Sequence, residues 1–392
     1  MNSTRINYFL GFSRIVTGLL FIFSGLIKAN DPTGFGYKLE EYFHVFGTHF
    51  LNDYSVAIAV VICGLEVLLG ALLLLGFWGR TVAWGLLLLI LFFTFLTFYS
   101  AFFEVVTSCG CFGDAIPLTP WQSFGKDLVL LALILVIFVN RKHIRPLVKD
   151  GYTQSIVTVA LAVVSLGIGI YTVNFLPFID FLPYKKGNHL PSLMTLPEGA
   201  EGDQYEVIYT LKNKTSGEEK KVSDKVYLAE ELWKDENWEI VGDPESKLVK
   251  KGYQVPIPDL LITDANGDDF TKELIENPYY NLIVVAWDLD KANLEALRQI
   301  NALVMNAAEA YNIRSVLLTS SSTQAAEQVS SELNLLLETF YADAVPLKSM
   351  VRANPGVLLM QNGTVVDKWH YRTLPDFDTL DNRYFSKAYE NE

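Results

Sequence analysis

Cysteine is scarce in this sequence: there are three in 392 residues, too few for a multi-disulfide scaffold, and two of them, Cys109 and Cys111, stand one residue apart. Charge is scarce too, at 19% of residues against 51% hydrophobic and 13% aromatic, which is too apolar for one water-soluble globule of this length. A basic surplus is also missing, since 31 Lys and Arg face 44 Asp and Glu for a net charge of −13. Phosphate binding needs a basic footprint, and the one basic run, Arg141 to Lys149, is a short loop, so nucleic acid is excluded as a partner. No internal repeat or low-complexity tract is present.

The charge that exists is unevenly placed. The first 179 residues carry 10 Lys and Arg against 9 Asp and Glu, and the rest carry 21 against 35. A nearly neutral half is joined to an acidic one, which reads as a membrane part followed by a soluble part. A bilayer core of roughly 30 Å asks for about 20 apolar residues per helix. Five stretches meet this, approximately Tyr8 to Ile27, Tyr54 to Leu75, Thr81 to Phe103, Phe124 to Val139 and Ser155 to Leu176. The first is read as a retained helix, because its apolar run is too long for a signal peptide and the following Lys28-Ala29-Asn30-Asp31-Pro32 makes a poor cleavage site.

Arg80 and the basic run from Arg141 to Lys149 mark the cytoplasmic side, while the loops from Asn30 to Asp53 and from Glu104 to Trp121 are acidic and face outward. The expected topology therefore has five transmembrane helices in a bacterial inner membrane, a cytoplasmic N-terminus and a periplasmic C-terminal domain. Membrane lipid is then an obligatory partner.

Within the spans, Glu66 lies near the middle of the second, where a carboxylate is expensive and must find a partner or a polar pathway. Arg14 is the expected partner, and the pair is either a structural lock between two helices or a contact for a quinone or a proton. Cys63, one turn before Glu66, is expected to pack in the interior on the same face. Lys28 is expected to snorkel toward the interface.

The run Ser108-Cys109-Gly110-Cys111-Phe112-Gly113-Asp114 follows the third span. In an oxidising compartment a Cys-x-Cys pair can close a small, strained ring of the kind that exchanges readily. A permanent loop clip and half of a metal site are the other readings. No His lies beside the pair to complete a tetrahedral set, so no metal is expected.

The ordered set Arg14-x-x-x-Gly18, Ser24-Gly25-x-x-Lys28-x-x-Asp31-Pro32, Cys63-Gly64-x-Glu66-x-x-x-Gly70 and Ser108-Cys109-Gly110-Cys111-Phe112-Gly113 resembles the DoxX/MauE group of membrane proteins over roughly residues 8 to 140. The resemblance implies a four-helix membrane bundle and electron transfer between periplasmic thiols or sulfur compounds and the quinone pool. The fifth span and the tail lie outside it.

In the tail, Pro177, Pro183, Pro191 and Pro197 punctuate a linker, and Asp203 to Asp224 alternates as a hairpin. From Val255 the sequence reads as an α/β unit. An opening hairpin at Ile257 to Asp264 turns through Asn266-Gly267, and a buried strand follows at Asn281 to Trp287. A helix then runs to about Tyr311, before a strand at Arg314 to Thr319, a helix through Gln328, a short strand at Phe340 to Ala342, and a hairpin turning at Asn362-Gly363. This order resembles a TlpA-like thioredoxin fold over roughly residues 255 to 375. Where that family places Cys-x-x-Cys after the Trp-ended strand, this chain has Asp288-Leu289-Asp290-Lys291. No cysteine follows Cys111, so the tail cannot perform thiol exchange. Pro355 matches the family's cis-proline position.

The expected fold is therefore an α-helical membrane bundle, a four-helix DoxX/MauE-like core plus a fifth transmembrane helix, with a C-terminal periplasmic α/β thioredoxin-like domain. The expected divisions are residues 1–145 for the core, 146–180 for the fifth helix, 181–254 for a linker with a β-hairpin and 255–392 for the domain lacking Cys-x-x-Cys. In the leading functional reading, Cys109 and Cys111 exchange electrons with a periplasmic thiol protein and a quinone held near Glu66 and Arg14. Trp287, Asp288, Lys291 and Pro355 then bind a partner. The rival reading is a non-enzymatic scaffold or accessory subunit of a cell-envelope assembly or export complex.

Overall fold

The computed structural model describes residues 3–105 and 112–386. Cys109 and Cys111 lie outside the described residues. The first half is helical: α1 (Ser3–Asn30), α2 (Pro32–Val45), α3 (Ser55–Leu75), α4 (Gly79–Phe103), α5 (Pro120–Val139) and α6 (Gly151–Asn174). All but α2 lie in the five stretches long and apolar enough to cross a membrane. The chain is a membrane protein built of a helical membrane part and an α/β domain.

Small residues set the closest helix contact. Along α1 and α3, a Cβ on Gly70 would stand 2.8 Å from the Gly18 carbonyl, and one on Gly25 would stand 2.9 Å from the Glu66 Cβ. Backbones that approach this closely gain dispersion contact in a solvent where burial alone gives no drive. Helices α4 and α5 pair along their length, α1 also packs on α5, and α6 lies against α3. Helix α5 begins four residues earlier than its apolar run, because Thr119 and Gln122 form a capping box and Pro120 occupies the first helical position.

The segment expected as a loop after the first span is instead largely helix. Asp31 caps α2 by accepting the Gly34 N–H, Pro32 sits in its first turn, and Phe35, Gly36, Leu39 and Tyr42 are buried on one face. That spacing follows the 3.6-residue period. The stretch is too short and too polar to register as a span, so hydropathy passed over it.

A linker and a short helix, α7 (Leu190–Met194), lead from α6 into the tail. A small antiparallel sheet follows, in which β1 (Gln204–Asn213) pairs with β2 (Glu219–Ser223), β3 (Trp238–Ile240) and β4 (Glu245–Lys250). Helix α8 (Asp224–Ala229) lies between β2 and β3. The hairpin expected at Asp203 to Asp224 is its β1–β2 unit.

The α/β domain contains α9 (Thr271–Ile275), β5 (Asn281–Val285), α10 (Leu294–Tyr311), β6 (Arg314–Thr319), α11 (Thr323–Leu333), β7 (Glu338–Tyr341), α12 (Ala344–Met350), β8 (Gly356–Gln361), β9 (Thr364–His370) and α13 (Phe377–Leu380). Its five strands lie in the order β7-β6-β5-β8-β9. Strands β5, β6 and β7 are parallel neighbours, and β8 and β9 return antiparallel. One face packs Leu190, Leu274, Leu347 and Met350 against Ile283, Val285 and Leu318. The other packs Leu297, Ile300, Val304 and Ala307 against Leu282, Val284 and Leu317. Burial on both faces is why β5 reads as an unbroken apolar run. The expected opening hairpin is reduced to isolated bridges of Thr263 to Asp269 and to Tyr341, because the Asp264 carboxylate closes the turn by accepting the Asn266 and Asp268 N–H groups.

Candidate functional site

Two polar neighbourhoods meet near the end of the bundle that faces the tail. The first is interior. Glu66 Oε1 pairs with Lys28 Nζ, both side chains being 2% exposed, and Glu66 Oε2 accepts from the Ser24 hydroxyl at 3.2 Å. The Lys28 ammonium also lies 4.4 Å from the centre of the Phe93 ring, a contact that partly offsets desolvation of the cation.

Arg14 is not the partner of Glu66. The helix register places Gly25, not Arg14, beside Glu66, and eleven residues of helix separate Arg14 from Gly25 by about 16 Å. Arg14 instead donates through Nη2 to the Leu73 carbonyl at 3.0 Å, a second donor to an acceptor in the last turn of α3. Lys28 does not snorkel; the buried Glu66 carboxylate on the facing helix α3 holds it inside. Cys63 is fully buried among Ala29, Phe35, Leu39 and Ala59.

A second ion pair, absent from the sequence reading, faces the same interior. Lys126 Nζ lies 2.7 Å from Asp127 Oδ1, and Asp127, 1% exposed, also has the Thr97 hydroxyl 3.0 Å from Oδ2. The signal was an Asp one turn inside the apolar run of α5. Lys28, Glu66, Lys126 and Asp127, together with Phe112, line one cavity of 20 Å³. That volume holds about one water molecule and no quinone ring. Phe112 follows Cys111 directly in the chain, and its ring lies 5.1 Å from Lys126 Nζ.

The second neighbourhood lies between the bundle and the tail. Arg352, which follows α12, donates to Asp31 Oδ2 at 2.8 Å and to Asp114 Oδ2 at 3.3 Å. Burial opposes the Arg352 charge, but the two carboxylates outweigh it and hold its pKa above the usual range. Lys348, on α12, puts its ammonium 4.2 Å from the Tyr37 ring and 4.4 Å from the Trp287 ring, with Glu40 at 3.8 Å. Burial lowers the Lys348 pKa. Asp31, Tyr37, Glu40, Asp114, Lys348 and Arg352 border a cleft of 530 Å³, lined also by Val105 and Gly113 on either side of the segment that carries Cys109 and Cys111.

The tail residues expected to bind a partner are placed as follows. Trp287 stands edge-on to Tyr37, ring centres 6.1 Å apart, so this face is partnered within the chain by α2. Asp288 accepts at its carbonyl from Asn354 Nδ2 at 2.7 Å and lies 4.0 Å from the exposed Lys291. Pro355 is buried after a cis peptide bond at the start of β8. The structure thus brings Asp288 against Asn354, the residue before Pro355, while Lys291 stays exposed. What the sequence did not reveal is that Tyr37, Lys348 and Arg352 complete the neighbourhood.

Residues 6–140 match the family model described as methylamine utilisation protein MauE. The chain is also similar to Protein TlpB of Flavobacterium psychrophilum, 26% identical over 143 residues, which is 35% of this chain and 38% of that protein. The match therefore spans well under half the length of that curated relative. No solved structure matches. The membrane part thus matches the MauE family model over its first four spans, in keeping with a membrane protein.

Proposed function

We propose that Cys109 and Cys111 exchange electrons with a thiol-bearing protein on the outer face of a bacterial inner membrane, with the tail domain in the periplasm. The observation that carries this reading is Phe112. Its ring borders the cavity lined by both interior ion pairs, and Cys111 is its neighbour in the sequence. Phe112, at one end of the cysteine segment, thus borders the buried polar cluster, and the flanking Val105 and Gly113 line the cleft beneath the tail. Lacking cysteine, the tail acts as a clamp through Arg352 and Asp114.

The electron acceptor in this proposal is a membrane quinone, taken as a second substrate. The interior cavity is too small for its ring, so Glu66 is not in direct contact with it, and Arg14 serves the end of α3. In the test, Cys111→Ser in the full chain accumulates a mixed disulfide through Cys109 with a periplasmic dithiol protein. No such adduct under non-reducing conditions overturns the reading.

A second reading, that of a scaffold subunit, is favoured by the small sheet of the tail. Its strand β4 is exposed throughout, and Leu228, Trp233 and Val249 are exposed nearby. Purification in mild detergent with stoichiometric co-purifying subunits, and no mixed disulfide, would favour it.

A further inference from the structure

We propose that Asp127 is a proton-carrying carboxyl inside the bundle, and that the Thr97 hydroxyl is the switch that lets it exist in both protonation states. The two carboxylate oxygens of Asp127 have different surroundings. Oδ1 faces the Lys126 ammonium at 2.7 Å, which is a donor only. Oδ2 faces Thr97 Oγ1 at 3.0 Å. A hydroxyl carries one hydrogen and two acceptor sites, and the Thr97 hydroxyl has two main acceptors in reach: Asp127 Oδ2 and, at 2.9 Å, the Phe93 carbonyl one turn back on α4.

When Asp127 is ionised, Thr97 donates to Oδ2. Once Oδ2 carries a proton, Thr97 turns its hydrogen to the Phe93 carbonyl and accepts from Asp127. Neither state leaves the Thr97 hydroxyl or Asp127 Oδ2 unsatisfied, which is the condition for a group to change charge in a low-dielectric interior at modest cost.

Other observations point to the same use. The cavity beside Asp127 has room for about one water. Ser123 Oγ, one turn from Asp127 toward the tail end of α5, and Thr94 Oγ1, one turn from Thr97 on α4, are buried hydroxyls with no hydrogen-bond partner among the described residues. The charged groups facing the cavity are Lys126 of the same helix, Lys28 of α1 and Glu66 of α3, while α4 brings no charge to it. A carboxyl that takes up and gives back a proton beside Phe112 is what thiol and disulfide interconversion in the adjoining segment calls for. That use rests on the redox reading; the proton site itself does not.

The test is a pH titration of the purified full chain in detergent, followed by the infrared carbonyl band of a protonated carboxylic acid. A band that titrates in the wild type and is lost in Asp127→Asn is expected. Thr97→Val costs the ionised form a charge-assisted hydrogen bond and the protonated form only a weaker neutral one, so the midpoint should rise by about one pH unit, a tenfold change in the proton equilibrium. Thr97→Ser should restore it. If Asp127→Asn does not accumulate, the Thr97→Val shift alone decides. A Thr97→Val midpoint equal to the wild type, or no titrating band assignable to Asp127, overturns the proposal and leaves a permanently ionised structural pair. No thiol partner is present in this measurement, so a failed mixed-disulfide trap with a normal titration overturns the redox reading and leaves the proton site standing.

Discussion

Arg352 and Asp31 are 321 residues apart in the chain and 2.8 Å apart in the fold, joining the tail domain to the first residue beyond α1. Arg352 is 6% exposed and bridges a second carboxylate, Asp114. It therefore fixes the tail over the cleft by charge that is largely out of water.

Replacing Arg352 with Ala leaves Asp31 partly buried and without its cation, a loss on the order of 3 to 5 kcal/mol for a desolvated pair. The expected outcome is undocking, read as faster hydrogen exchange along α2 and new protease cleavage in the linker around Pro177 to Pro183. The α/β core should survive, because its two apolar faces do not include Arg352.

Glu66→Gln removes the carboxylate and strands Lys28 in the bundle interior. Accumulation and thermal stability should fall by a similar 3 to 5 kcal/mol, whereas Lys28→Met with Glu66→Leu should recover most of the loss, since an apolar pair of like volume dispenses with desolvating two ions. Thermal melts of the two detergent-solubilised variants beside the wild type check this. Recovery of stability without recovery of thiol exchange would tie the pair to function.

Burial, followed by the nearby Arg372, lowers the pKa of His370 from 6.5 to about 4. Because the folded value lies below the unfolded one, the unfolded chain takes the proton first as pH falls. Stability is therefore intact above about pH 6.5 and is lost on acidification toward pH 4, by about 3 kcal/mol. The His370 Nδ1 that accepts the Arg372 N–H at 3.1 Å gives up that bond when protonated. His370→Gln should flatten this slope in thermal melts of the full chain across the same window.

The proposed topology puts the C-terminus outside the cytoplasm, on the strength of the basic run from Arg141 to Lys149 between α5 and α6. A reporter fused after Glu392 that fluoresces only in the cytoplasm should stay dark, and fluorescence there would reverse the orientation.

The sequence alone determined the elements whose signal is local. Five apolar runs of spanning length, the unbroken apolar strand β5, the turn at Asn362-Gly363 and the missing cysteines of the tail all lie within a few residues of one another, and the structure places each helix and strand close to where the pattern put it. The α/β order of the tail was legible for the same reason.

Only the tertiary structure decided which charges meet. Glu66 announced that it needs a partner, but a helix presents several cations at different depths, and the close contact of Gly25 with α3 selected Lys28 over Arg14. Helix α2 stayed hidden because its buried face is made by contacts with neighbouring helices, chiefly α3, rather than by a long apolar run. The Thr97–Asp127 pair, the Arg352 clamp and the Tyr37–Trp287 contact each join residues from separate elements. Sequence periodicity reports which face of an element is apolar; what that face is pressed against depends on register and close approach, which are set only when the elements pack.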